Sequence, residues 1–123
     1  APLLPTSETV IVDKTVILNI EGRMDLSNYA AFVAQAEEAL ASSPFLVVNM
    51  KHAQFLDSTA MGALVALTNR AREAGGSLRL AAIPPDIARI FALVRLDMFF
   101  DIYTDVETAI EAAPALVTMP HSI

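Results

Sequence analysis

The chain has 123 residues, a length that fits one compact domain able to bury a core without metal or disulfide support. It contains no cysteine, so disulfide frameworks and thiolate chemistry are excluded, and fourteen acidic residues against eight basic ones give a net charge of −6 that repels nucleic-acid phosphates. Hydrophobic residues make up 54% of the chain, many of them alanine, which leaves the surface sparsely charged and points to a protein-binding face.

The N-terminal residues 1–8 carry two prolines and no periodicity and read as a tail before a short β-branched strand at Thr9 to Val12. The Asp13-Lys14 pair suits a hairpin turn. Val16, Leu18 and Ile20 then alternate with Ile17, Asn19 and Glu21, which gives a second strand over Thr15 to Glu21. Beyond Gly22 and Arg23, Asp25 and Ser27 offer N-cap oxygens for a helix that runs to about Ser42, with Tyr29, Phe32, Val33, Ala36, Ala39 and Leu40 at helical spacing. Pro44 ends that element, and Phe45 to Met50 has the pattern of a central strand covered on both faces.

Ser58 to Ala74 is the next long helix, closed by Gly75-Gly76. Its inward stripe is Ala60, Leu64, Leu67 and Ala71, while Ser58, Gly62, Val65, Asn69 and Arg72 share another face. Leu78 to Ala82 forms a fourth strand. Pro84-Pro85 ends it before Asp86 opens a short helix with Ile87, Ile90, Phe91 and Val94 inward. Phe99 to Tyr103 supplies a last strand, and Thr104-Asp105-Val106-Glu107 reads as a capping box for a fourth helix through about Ala113, with residues 114–123 as a tail. Helices between strands imply crossovers, hence an α/β layer fold: a mostly parallel central sheet of about five strands flanked by about four helices, in one domain over 9–113.

Chemistry concentrates in Phe55-Leu56-Asp57-Ser58-Thr59-Ala60-Met61-Gly62, at a strand-to-helix junction of the kind where α/β sheets gather functional groups. A Ser58 hydroxyl at a helix N-terminus could carry a phosphate, because free N–H groups and the helix dipole favour negative charge there. On local spacing alone, Asp57 or Ser58 serves equally as a plain N-cap, with Thr59 in the first turn. Asp25 is open to a turn role, Gly22 and Gly62 to tight backbone approach or ordinary packing, and Met24 and Met61 to partner contact or core filling.

Asp57-Ser58-Thr59-Ala60-Met61-Gly62, with Gly22-Arg23-Met24-Asp25 upstream and Ala74-Gly75-Gly76 downstream, resembles the STAS family of anti-sigma factor antagonists. In that family an Asp-Ser-Ser or Asp-Ser-Thr motif is followed by Gly-Leu-Gly or Ala-Leu-Gly, and the serine after the aspartate is the kinase target. Ser58 holds that place, while Ala60 and Met61 depart from the usual motif but keep its small-then-aliphatic character. The resemblance implies a regulatory cycle in which the unphosphorylated protein binds an anti-sigma factor serine kinase and frees a sigma factor. Phosphorylation then releases the partner and a phosphatase resets the cycle. The partner-binding residues so implied are Asp25, Asp57, Ser58, Thr59, Gly62, Val65 and Asn69, and the choice between Ser58 and Thr59 as phosphate acceptor stays open.

Other chemistries fit poorly. A phospho-accepting receiver domain needs an early acidic pair and a lysine after its last strand, whereas the lysines here are Lys14 and Lys51. His52 and His121 have no recognisable setting as a base for Ser58, and neither a Gly-x-Ser-x-Gly elbow nor a Gly-x-x-x-x-Gly-Lys loop occurs. No catalytic residue, metal or cofactor is therefore expected. Apolar runs stay short of the roughly 20 residues of a membrane span and Ala1 to Pro5 lacks the basic start of a secretory signal, so a cytoplasmic protein without membrane insertion or direct nucleic-acid binding is expected. The rival function is a fixed STAS scaffold in a stressosome, a membrane transport system or a lipid-transport assembly.

Overall fold

Leu46, Val47 and Val48 are all buried, because the strand that carries them lies in the middle of the sheet with helices on both sides. The computed structural model describes residues 9–12 and 14–118. In chain order they form β1 (Thr9–Val12), β2 (Thr15–Met24), α1 (Tyr29–Ser42), β3 (Phe45–Leu56), α2 (Ser58–Glu73), β4 (Ser77–Ala81), α3 (Pro85–Leu93), a 3-10 turn (Leu96–Met98), β5 (Asp101–Tyr103) and α4 (Val106–Thr118). The strands follow the spatial order β1-β2-β3-β4-β5. β1 is antiparallel to β2, and the remaining pairings are parallel.

Side chains alternate across this sheet and divide the interior in two. Val16, Leu18, Ile20, Leu46, Val48, Met50, Leu78 and Leu80 face α1, α2 and α3, where Phe32, Leu64, Leu67 and Phe91 complete the larger core. The other face is closed by α4, whose Ala109 packs with Ile17, Val47 and Ala81. Arg79 is buried on that face too. Its Nη1 donates to the Tyr103 hydroxyl and its guanidinium lies 5.2 Å from the Tyr103 ring centre, while Nε and Nη2 have no hydrogen-bond partner among the described residues.

The expected elements are all present among the described residues, with informative differences at their ends. β2 runs to Met24 and β3 to Leu56, well past Glu21 and Met50, because the two strands continue to pair through register shifts at Asn19/Glu21 and Gly22/Arg23. Gly22 adopts φ +77°, which an L side chain rarely takes, and the shift turns the end of β2 so that Met24 enters the core. Ala82 has φ +58° and lies just beyond β4 rather than within it. In α3 only Ile87 and Phe91 are buried, whereas Ile90 and Val94, expected inward, are exposed; a helix this short offers the core one narrow stripe. Phe99 and Phe100 precede β5 and stack on each other edge to face instead of extending the strand.

Capping also differs from expectation. Asp105 rather than Thr104 caps α4, its Oδ1 accepting the Thr108 N–H at 2.8 Å, and the helix continues past Ala113 to Thr118. Asp25 and Ser27 do not cap α1, since the Asp25 carboxylate bonds Ser27 within the turn and Asn28 occupies the cap position. The Gly75-Gly76 end of α2 is as expected: Gly75 at φ +89° donates to Arg72 O and Gly76 to Ala71 O, the paired bonds of a Schellman motif.

Candidate functional site

Asp57 organises the start of α2. Its backbone is extended, its Oδ1 accepts the Ala60 N–H at 2.9 Å, and its carbonyl accepts the Met61 N–H at 3.0 Å. Its Oδ2 accepts the Leu26 N–H at 3.0 Å, and its own N–H donates to Met24 O at 3.2 Å. One carboxylate thus starts the helix and straps the β2–α1 loop beside it. Asp57 is therefore the N-cap, which leaves Ser58 as the first helical residue. Ser58 is exposed, and no hydrogen bond to its hydroxyl occurs among the described residues.

The loop that Asp57 holds is itself rigidly bonded. Asp25 Oδ1 accepts both the Ser27 N–H at 3.0 Å and the Ser27 hydroxyl at 2.6 Å. Asn28, which sequence reasoning did not single out, accepts the Asp25 N–H through Oδ1 and donates to Arg23 O through Nδ2, each at 2.9 Å. The Ser27 hydroxyl and N–H, aided by the nearby Arg23 charge and opposed by partial desolvation, hold the Asp25 carboxyl below its ordinary value of 3.8. Asp25 therefore presents an ionised carboxylate next to the α2 entrance at neutral pH.

Ser58, Met61, Gly62 and Val65 follow the i, i+3, i+4, i+7 spacing of one helix face. Together with Val94 and Leu96 they line an open, mainly apolar groove of about 320 Å³. Val65 is half-buried and packs on the core while lining this groove, so it is less exposed than the sequence implied. Thr59 lies outside the groove, and Asn69 is exposed a further turn along α2. Met24 belongs to the core, while Met61 serves both core and groove.

Sequence reasoning missed the far wall of the groove. Arg95 adopts the left-handed conformation at φ +66°, which bends the chain sharply after α3 and brings Leu96 opposite Ser58. Beside it Leu93 is 76%, Val94 51% and Met98 78% exposed, and Leu26 on the strapped loop is 69% exposed. The available signal was the run Leu93-Val94-Arg95-Leu96-Asp97-Met98, which holds more apolar side chains than a short helix end can bury. Among the described residues no helix is long and apolar enough to cross a membrane, and His52 is exposed on β3.

Comparisons with known proteins agree with this architecture. A family model described as the STAS domain matches residues 6–109. A STAS-domain containing protein of Pseudomonas aeruginosa is 28% identical over 85 residues, which is 69% of this chain and 84% of that protein. A Thermotoga maritima protein provisionally described as an anti-sigma factor antagonist superimposes with a TM-score of 0.81 at 21% identity, over 87% of this chain and 93% of that one. The Bacillus anti-sigma factor antagonist SpoIIAA, solved in unphosphorylated and phosphorylated forms, gives TM-scores of 0.68 and 0.67 at 18% identity, over 85% and 86% of this chain and 94% and 96% of those. The murine anion transporter Slc26a9 gives 0.72 at 16% identity, over 85% of this chain but 18% of the transporter. At these identities the structural likenesses establish the fold alone.

Proposed function

The chain belongs to the STAS domain family, and on that premise we propose that it is a phosphorylation-controlled anti-sigma factor antagonist in the cytoplasm. It binds an anti-sigma factor serine kinase while Ser58 is unmodified and so releases a sigma factor; phosphate on Ser58 ends the complex, and a phosphatase restores the binding form. It is a binding module and kinase substrate rather than an enzyme.

The observation that carries this proposal is the state of Ser58. Its hydroxyl is exposed at the first position of α2 and uncommitted among the described residues, while both oxygens of the neighbouring Asp57 are bound to backbone N–H groups. Phosphate there adds about 1.5 to 2 negative charges beside an apolar groove, where a docked partner would have to desolvate them. The helix N-terminus offsets part of that charge inside the free domain. Binding therefore suffers more than folding. Asp25, Asp57, Thr59, Gly62 and Val65 frame the contact, with Asn69 at its distal end.

The alternative is a fixed STAS scaffold in a stressosome or a membrane transport system; the same fold occurs as part of an anion transporter. The two separate on incubation with ATP and an anti-sigma factor serine kinase encoded in the same genome, followed by mass spectrometry of wild type and Ser58→Ala. Stoichiometric modification of Ser58, absent from the variant, supports the switch. Modification only at Thr59, or none in a stable complex, would leave the scaffold.

A further inference from the structure

We infer that Arg79 carries a latent binding edge for a small carboxylate beneath α4, on the sheet face opposite the Ser58 groove. Arg79 is 2% exposed and stands in register with Val47 of β3, so its side chain enters the layer that α4 closes. Nη1 donates to the Tyr103 hydroxyl, whereas Nε and Nη2 have no hydrogen-bond partner and Arg79 makes no ion pair among the described residues. Those two groups are neighbours on one edge of the guanidinium, where their N–H bonds run parallel and match the two oxygens of a carboxylate. The guanidinium keeps its charge at every physiological pH, and a buried charge with one neutral partner costs stability. The edge is thus shaped for a planar anion and short of a negative charge. Asp101 is the register partner of Arg79 on β5, but its carboxylate is 45% exposed and lies 3.7 Å from Arg72 Nη2, which leaves the Arg79 edge to another acid.

The cover over this edge is thin. Among the described side chains of α4 only Ala109 is buried, with Val106 and Ile110 partly so. Pro114 lies within the helix and has no N–H, so the Ile110 carbonyl lacks the bond that the following turn would give it. An element held by few apolar contacts opens locally at less cost than the whole domain. Opening lets an ion reach Nε and Nη2. The close cover favours a free ion of formate or acetate size over a carboxylate borne by a protein, which would have to bring its backbone under the helix.

The test is 15N NMR of the full chain, reading the Arg79 Nε–H resonance while sodium formate is added at an ionic strength held constant with chloride. Formate should shift that resonance and the amides of Arg79, Tyr103, Ala109 and Ile110 saturably, and chloride alone should not. Arg79→Lys keeps the charge without the paired donors and Arg79→Met removes both; in each, affinity for formate read at the Tyr103, Ala109 and Ile110 amides should fall about tenfold or more. Amide exchange should be about tenfold or more faster at Ala109 and Ile110 than at Leu64 and Leu67 of α2. N-acetyl-glutamate amide should bind more weakly than formate; equal or tighter binding would assign the edge to a protein side chain and overturn the free-ion site. An Nε–H resonance unmoved by formate, an equal response to chloride, or α4 amides that exchange only with global unfolding would overturn it as well. So would an Nε–H shift in Asp101→Asn without formate, which makes Asp101 the occupant. If neither Arg79 variant folds by circular dichroism, the wild-type Nε–H titration decides alone.

Discussion

Replacing Asp57 separates two tasks that one carboxylate performs. In Asp57→Ala the Ala60 N–H loses its cap and the Leu26 N–H loses its tether, both now at about 3 Å. Loss of the cap costs about 0.5–2 kcal/mol, and the exposed Leu26 N–H recovers most of its bond from water, so a loss of about 1–2 kcal/mol is expected. For a domain of this size that lowers Tm by about 4–10 °C and leaves the protein folded at room temperature. Asp57→Asn keeps one oxygen for Ala60 but turns an NH2 group toward the Leu26 N–H, so it should melt closer to wild type while freeing the loop. Hydrogen exchange at the Leu26 amide reads the loop, and thermal melts read the cap. An alanine variant that melts with wild type, or an asparagine variant with full protection at Leu26, would refute this division of labour.

Gly62 sits mid-helix with nothing within 4 Å of where a Cβ would stand. Gly62→Ala should therefore raise stability by about 0.5–1 kcal/mol in a urea titration, yet weaken partner binding by narrowing the groove; unchanged affinity would show that the partner stays clear of this turn. Arg79 is buried with Nε and Nη2 unpaired among the described residues, so Arg79→Met should be neutral or stabilise by about 1–4 kcal/mol in a denaturant titration, and a clear loss would mean that the Tyr103 contact outweighs the buried charge. The Asp105 carboxyl is held below 3.8, first by the Thr108 N–H. A lowered folded-state pKa gives stability that is present above the unfolded value and lost as pH falls through the folded one. The start of α4 should therefore fray below about pH 4, and constant exchange protection of the Thr108 amide from neutral pH down through that range would contradict this.

The parallel sheet and its helices were legible because their signals are local and strong: the apolar run at Leu46 to Val48, the inward stripe Ala60, Leu64, Leu67 and Ala71, and the glycine pair closing α2. The strand ends were not, because β2 and β3 extend only by pairing with each other through two register shifts that no single strand announces. At the site, Asp57 and Ser58 were legible as a helix start next to a resembling motif. Leu26 and Leu96 were not, since a loop tether and a left-handed Arg95 bring them to Ser58 from distant parts of the chain. Ile90 and Val94 misled by fitting the spacing of Ile87 and Phe91 on a helix too short to bury them all.

The central claim is that phosphate on Ser58 opposes partner binding rather than folding. The direct measurement is calorimetric affinity for the anti-sigma factor kinase before and after stoichiometric Ser58 phosphorylation, alongside the melting temperature of each form. An interface penalty of about 3–4 kcal/mol should weaken binding by more than a hundredfold, with Tm nearly unchanged. Unchanged affinity, or a loss of affinity fully explained by unfolding of the phosphorylated domain, would contradict the switch.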